Sequence, residues 1–383
     1  MPPTAAHTAT ALALLLTCQL VSRQAAGEVP VTSTVRQLPS ANGHTAVLLD
    51  LEHARVNHFR EHLYASEEPQ LDQAGNEQWQ DGKPLNVHTR DLLYDAYFGL
   101  RVNGQQAWLT ALPVDLAASG YLPFATGKVG GSGVASMVQT SGDLQLTTIV
   151  FAPQGLPHAG FVMALRIVNT GATTQTGVSV FSLHNFHLGF GRPGVRQETG
   201  EQGETVSVPG GGSQLLFERG FAGVVGAAPL GPISHRSGSF VAAAAQNNPY
   251  QIVAAGAATD LPDSVGEAPV HDGSISAFQF DVGDVPAGQQ RWVAVVFAHH
   301  GDPFAQNTVT QWLNDYIAGR DAQALVTDEL AEWSAFQAQL SLPAAATKDD
   351  ETMYRQAAVW LQMAQVRESE SYLRQWLTTD GEP

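Results

Sequence analysis

The chain changes character near Asp302-Pro303. Before that point, short runs with apolar and polar residues in alternation are separated by glycine turns. After it, apolar residues recur at helical spacing in three stretches. A period of two belongs to half-buried strands and a period of 3.6 to helices, and one cannot stand in for the other. The sequence therefore predicts a large β body followed by helices. That order reads as one whole domain joined to the opening of another. Charged residues are only 14% of the 383, with 37 Gly and 21 Pro, which suits an all-β body rich in turns.

Within the β part, 45–51 and 55–64 read as a strand pair, with Val56, His58 and Arg60 sharing one face. Residues 66–86 are polar and aperiodic and read as a long loop, a kind of segment that often carries function. Asn103-Gly104 supplies the positive φ angles of a type I′ hairpin turn between 97–102 and 105–109. Segments 134–139 and 144–151 pair around Ser141-Gly142-Asp143. Segments 161–169 and 177–183 flank an Asn-Thr-Gly turn. The first of these is apolar on both faces except at Arg166, so it should be covered on both. Further strands are expected at 215–218, 239–244, 252–257, 276–282 and 291–298.

Three helices follow. Val309, Trp312, Leu313 and Ile317 form one stripe, and Val326, Leu330, Trp333 and Phe336 another, ended by Pro343. Thr347 opens a capping pattern ahead of Met353, Ala357, Trp360, Leu361 and Ala364, whose spacing predicts a single buried face. Residues 372–377 add apolar surface with few residues left to bury it.

A net charge of −17 argues against nucleic acid and anionic lipid as partners, since both demand clustered Lys and Arg. A neutral polymer such as a glucan is compatible with it. Residues 8–21 are apolar, too short for a membrane span, and followed by small residues at Ala25-Ala26-Gly27. This predicts a signal peptide over 1–27 and a secreted or periplasmic protein. The only cysteine, Cys18, lies inside that segment, so the mature chain would have neither disulfides nor thiolate metal sites.

The candidate chemistry is sparse. His184 and His187 are three apart at a strand end, and His299-His300 closes another strand; neither spacing favours a shared ion. Glu67, Glu68, Asp72 and Glu77 lie in the long loop and match no calcium-loop pattern. Glu218-Arg219 reads as a strand-end ion pair. Arg90, Asp91 and Asp95 with Tyr94 and Tyr97 form an aromatic-acidic cluster that either lines a cleft or packs a domain. Trp79, Trp108 and Tyr121 are either sugar platforms or core. The glycines of 189–194 lack the context of a nucleotide loop, and there is no nucleophile elbow, P-loop or zincin motif. No catalytic residue, metal site or cofactor is assigned.

The order of elements, together with the segments 42–50, 58–62 and 354–364, resembles bacterial glucoamylase-like glycoside hydrolases of family 15 and the related disaccharide phosphorylases. The resemblance implies a galactose-mutarotase-like antiparallel β-supersandwich over 28–302 and a helical linker over 303–346. Residues 347–383 would open an (α/α)6 catalytic barrel, the rest of which is missing from this chain. It implies inverting hydrolysis of an α-glucan by two carboxylates located in that barrel, so the chain alone should be inactive. Two alternatives stand beside it. One is a secreted carbohydrate-binding sandwich without catalysis. The other is a mutarotase-like or lyase-like enzyme that uses a His and a carboxylate in one concave site.

Overall fold

The computed structural model describes residues 36–60, 91–188, 204–209, 214–220, 222–240, 243–263, 273–342, 347–365 and 367, with four two-residue strands between 68 and 87. The strands are β1 (Gln37–Ala41), β2 (Ala46–Asp50), β3 (Arg55–Arg60), β4 (Glu68–Pro69), β5 (Trp79–Gln80), β6 (Lys83–Pro84), β7 (Asn86–Val87), β8 (Leu93–Val102), β9 (Gln105–Trp108), β10 (Val114–Tyr121), β11 (Ala135–Ser141) and β12 (Leu144–Phe151). They continue with β13 (Gly160–Asn169), β14 (Gln175–Phe186), β15 (Thr205–Ser207), β16 (Leu216–Gly220), β17 (Gly223–Leu230), β18 (Ile233–Phe240), β19 (Ser274–Val285) and β20 (Gln290–His300). The helices are α1 (Pro249–Ala254), α2 (Gln306–Ile317), α3 (Ala322–Ala338) and α4 (Lys348–Met363).

Two large antiparallel sheets form a sandwich. Sheet one runs β1-β2-β3-β8-β14-β19-β18, with β9 paired to β8, and sheet two runs β10-β11-β12-β13-β20-β17-β16-β15. Phe161, Met163, Leu165 and Ile167 of β13 point into the space between the sheets, where they meet Phe59, Phe186 and Phe278. The alternate residues Val162 and Ala164 point outward, under the helices. The expectation that this strand is covered on both faces therefore holds, and Arg166 places its guanidinium 5.9 Å from the Trp292 ring.

The Asn103-Gly104 turn has φ of 53° and 76°, as a type I′ turn requires. Several expectations are corrected. Segments 161–169 and 177–183 flank the Asn169-Thr170-Gly171 turn but do not pair with each other, because β13 lies in sheet two and β14 in sheet one. The buried Asn169 steers this crossing, donating to Thr173 O at 2.7 Å and Val285 O at 2.8 Å. In β3 the register slips so that Asn57 is an extra residue between the pairs Leu48–His58 and Leu49–Val56. This bulge turns Val56 and Phe59, three apart, into the core together, whereas Arg60 is exposed. Residues 252–257 are not a strand: Asn248 caps α1, accepting from Gln251 N, and Pro249 occupies the first turn. The strand placed at 239–244 is β18, ending at Phe240. β17 went unpredicted because it is apolar on both faces and shows no alternation, as a strand covered by the other sheet on one side and a helix on the other must be.

That helix is α2, which seats Val309, Leu313 and Tyr316 on sheet two. A Cβ at Gly226 of β17 would lie 2.7 Å from Val309 and 2.8 Å from Leu313, so the close approach depends on glycine. α3 follows with Leu325, Val326 and the fully buried Trp333. Glu329 is buried beside them, accepting from Trp333 Nε1 at 2.9 Å and Gln154 N at 3.0 Å. Burial pushes its carboxyl up to about 8 despite both bonds.

α4 opens with the predicted capping box, Thr347 and Asp350 bonding reciprocally. Its burial is the reverse of the expectation. Val359 and Met363 face inward, while Met353, Ala357, Trp360, Leu361 and Ala364 are exposed, Trp360 by 54% and Leu361 by 72%. The side turned to the rest of the chain grips through polar groups. Glu351 pairs with Lys128 at 2.9 Å, Gln356 Oε1 accepts from Gly131 N at 2.9 Å, and Arg355 donates to Gln337 Oε1 at 3.0 Å.

Candidate functional site

A cleft of about 610 Å³ opens on the outer face of sheet one, between the β2–β3 turn and α1. That volume is in the range of small-molecule sites, ~300–1,000 Å³. Period two delivers its floor: Asp95 and Tyr97 from β8, Leu183 and Asn185 from β14, and Ile275 from β19. A bulge helps, because Asn185 pairs with Asp95 but Phe186 pairs with Leu93. Tyr94 is the extra residue, and Asp95 is kept on the outer face while Leu93 joins the core.

One wall is the turn carrying Glu52 and His53. Buried Asp50 organises it, accepting from Glu52 N at 2.9 Å, His53 Nδ1 at 2.8 Å and Asn57 Nδ2 at 3.2 Å. The carboxylate can only accept, so the proton sits on Nδ1 and Nε2 is left free of this contact. Next to it Arg55 Nη1 donates to Asp95 Oδ2 at 3.1 Å. Burial pushes the Asp95 carboxyl up, outweighing the lowering by Arg55 and by the Asn185 amide. Tyr97 is raised by burial first and by Asp95 second.

The opposite wall is α1, with Tyr250 and Gln251 exposed and Asn248 at its cap. Tyr250 lies almost parallel to Trp108, 7° between planes at 6.2 Å, and Trp108 Nε1 donates to Tyr250 O at 3.0 Å. Trp108 itself is buried against Tyr97 and Phe181. Two buried atoms of the floor, Asn185 Oδ1 and Arg55 Nε, have no hydrogen-bond partner among the described residues. A polar floor with unspent bonding capacity beside an exposed aromatic ring suits a small polyhydroxylated molecule.

The sequence candidates fall in different places. Asp95 and Tyr97 of the aromatic-acidic cluster do line a cleft. Asp91 instead takes the His58 imidazole and Phe59 N, and Tyr94 stacks on His187 at 4.1 Å. His184 lies between the sheets, away from His187. Its Nε2 meets Ser182 Oγ at 3.0 Å, its Nδ1 meets Ser276 Oγ at 3.1 Å, and Ser276 in turn bonds Glu218. Burial holds His184 down at about 3 and pushes Glu218 well up, so both ends of this seam are shifted toward their neutral forms. The expected Glu218–Arg219 ion pair is thereby corrected: neighbours on a strand face opposite ways, and Arg219 lies over Phe304. His299 bonds Ala222 O at 2.9 Å, and His300 accepts from Asp302 N at 2.9 Å.

Trp108 is core and no platform, and Tyr121 is half-buried with its hydroxyl on Pro39 O at 2.7 Å. Glu67, Asp72, Glu77, Arg90 and the glycines of 189–194, with the side chains of Glu68 and Trp79, lie outside the described residues. Sequence reasoning missed Tyr250, Asn185 and His53. For Tyr250 a signal existed in Asn248-Pro249, a helix start that would have placed the ring on a first turn. Among the described residues no cluster of three or more His, Cys, Asp or Glu could hold a metal ion, and no helix is long and apolar enough to cross a membrane.

No family model matches this sequence, and no curated protein matches it. Solved structures do match. A bacterial glucoamylase complexed with acarbose aligns over 87% of this chain and 41% of its own, with TM-score 0.53 and 10% identity. A protein assigned as a kojibiose phosphorylase, from the human microbiome, aligns over 87% of this chain and 39% of its own, with TM-score 0.50 and 6% identity. The fold is thus a mainly antiparallel, glucoamylase-like N-terminal sandwich. The chain spans about two fifths of the length of either relative.

Proposed function

We propose that this chain is the sandwich and linker part of an exported α-glucan-processing enzyme. On this reading the bond-cleaving carboxylates belong to the portion of such enzymes that it does not span. The observation that carries the proposal is the match to bacterial glucoamylase over 87% of this chain but 41% of that protein. Residues 1–27 are then an export signal, 28–302 the supersandwich, 303–346 the linker and 347–383 the opening of an (α/α)6 barrel. The outward side of α4, with Met353, Trp360 and Leu361, is the surface on which later barrel helices would pack. In the complete enzyme one carboxylic acid would protonate the leaving oxygen while a second carboxylate activates water from the opposite face. The cleft carboxylate Asp95 suits neither role, since it is tied to Arg55.

Native gel electrophoresis through entrapped polysaccharide tests the substrate class, with a glucose assay on maltodextrin in parallel. The expected result is retardation by starch-derived but not cellulose-derived polymer, and no glucose. Retardation by the β-linked polymer alone contradicts the α-glucan assignment. Glucose release by the pure chain contradicts the placement of the catalytic groups.

A further inference from the structure

We propose that the cleft between the β2–β3 turn and α1 is a saccharide-binding subsite of the sandwich itself. A sugar ring stacks on Tyr250 while its hydroxyls meet the Asp95, Asn185 and Gln251 side chains. The choice of an α-linked probe rests on the α-glucan reading; the site itself does not.

Three features of the cleft converge on this ligand. The first is the ring. Tyr250 is 45% exposed at the rim of the cleft, whereas its neighbours Tyr97 and Trp108 are buried. It is also held: Trp108 backs it in parallel and bonds its carbonyl, and the Asn248 cap fixes the first turn of α1 beneath it. A rigid exposed ring with one face backed offers the C–H face of a pyranose a surface at little entropic cost.

The second is the mixture of polar groups. Asp95 accepts, Arg55 donates, and Asn185 and Gln251 do both. A sugar hydroxyl also does both, so it can satisfy either kind. A phosphate or carboxylate would gain Arg55 but face Asp95 and Glu52, and an ammonium ligand would meet the reverse conflict. The floor's ion pair is pre-formed, with Arg55 and Asp95 only 34% and 19% exposed, so no charge need be desolvated afresh when a neutral ligand enters. The third is the buried polar atoms Arg55 Nε and Asn185 Oδ1, for which the described residues provide no partner. Such atoms occur where a bound group completes the bonding.

The test is calorimetric titration of the full chain with maltotriose, repeated with cellotriose and xylotriose, on the wild type and on Tyr250→Ala, Tyr250→Phe and Gln251→Ala. The expected result is one site of millimolar affinity. Tyr250→Ala should weaken it by about tenfold, the worth of an aromatic contact of this kind. Tyr250→Phe should stay within about twofold, since stacking survives loss of the hydroxyl. Gln251→Ala, on an exposed side chain, should weaken binding without lowering the melting temperature. A maltotriose affinity indifferent to Tyr250→Ala overturns the cleft while leaving the α-glucan reading intact. Tyr250-dependent binding of cellotriose or xylotriose without maltotriose supports the cleft and contradicts the α-glucan reading. Absence of binding for all three sugars overturns the cleft, as does an equal loss in Tyr250→Phe and Tyr250→Ala.

Discussion

α3 and α4 are consecutive helices of 17 and 16 residues, yet they meet the sandwich differently. α3 sinks Leu325, Val326 and Trp333 against sheet two and even buries a carboxyl, Glu329. α4 buries only Val359 and Met363, docks otherwise through Lys128–Glu351 and the Gln356 and Arg355 bonds, and leaves Leu361 exposed and Trp360 half-exposed, hydrogen-bonded to Tyr121. The difference shows that a helical stripe states that burial is wanted but not by whom. α3 has its partner in sheet two; α4 presents its stripe elsewhere.

Substitutions can break this contrast. Trp333→Ala removes a side chain that is 1% exposed, and it should cost about 3–5 kcal/mol in denaturant unfolding. A loss no larger than that of a surface change would mean that α3 does not rely on the sandwich. Gly226→Val drives a side chain into Val309 and Leu313, and about 1–3 kcal/mol should be lost, with α2 displaced from sheet two. Unchanged stability there would show that the approach of α2 is looser than the backbone contact implies.

Glu329 sharpens the comparison through pH. Its ordinary value is 4.5 and the folded value about 8, so the folded chain keeps a proton that the unfolded chain releases between them. Stability should therefore fall as pH rises from about 4.5 to about 8 and then level off. Glu329→Gln should flatten that part of the profile while the remainder persists. Trp360→Ala comes last: a side chain that is 54% exposed should change stability by no more than about 0.5 kcal/mol.

Much of the fold was legible because periodicity reports local geometry. The Asn103-Gly104 hairpin, the pairing of β11 with β12 and the Thr347 capping box all follow from residues close in sequence. What was illegible depends on partners. Nothing around Asn169 says that β13 and β14 join different sheets, because that choice is made by Val285, more than a hundred residues away. The bulges at Asn57 and Tyr94 reset which residues face inward, so strict alternation misassigns His58 and hides the route by which Asp95 reaches the cleft. The cleft itself gathers side chains from β3, β8, β14, β19 and α1. Only Asp95 and Tyr97 among them had an aromatic-acidic neighbourhood visible in one stretch of sequence. Tyr250 was concealed by reading a short apolar helix as a strand, an ambiguity that length alone does not resolve.

Hydroxyl-radical footprinting of the full chain, read by mass spectrometry at single residues, tests the contrast between the two helices most directly. Trp360, Leu361 and Met353 should oxidise rapidly, while Trp333 stays protected until the chain unfolds. Protection of Trp360 equal to that of Trp333 in the native monomer would contradict the account, because α4 would then have found its partner within this chain.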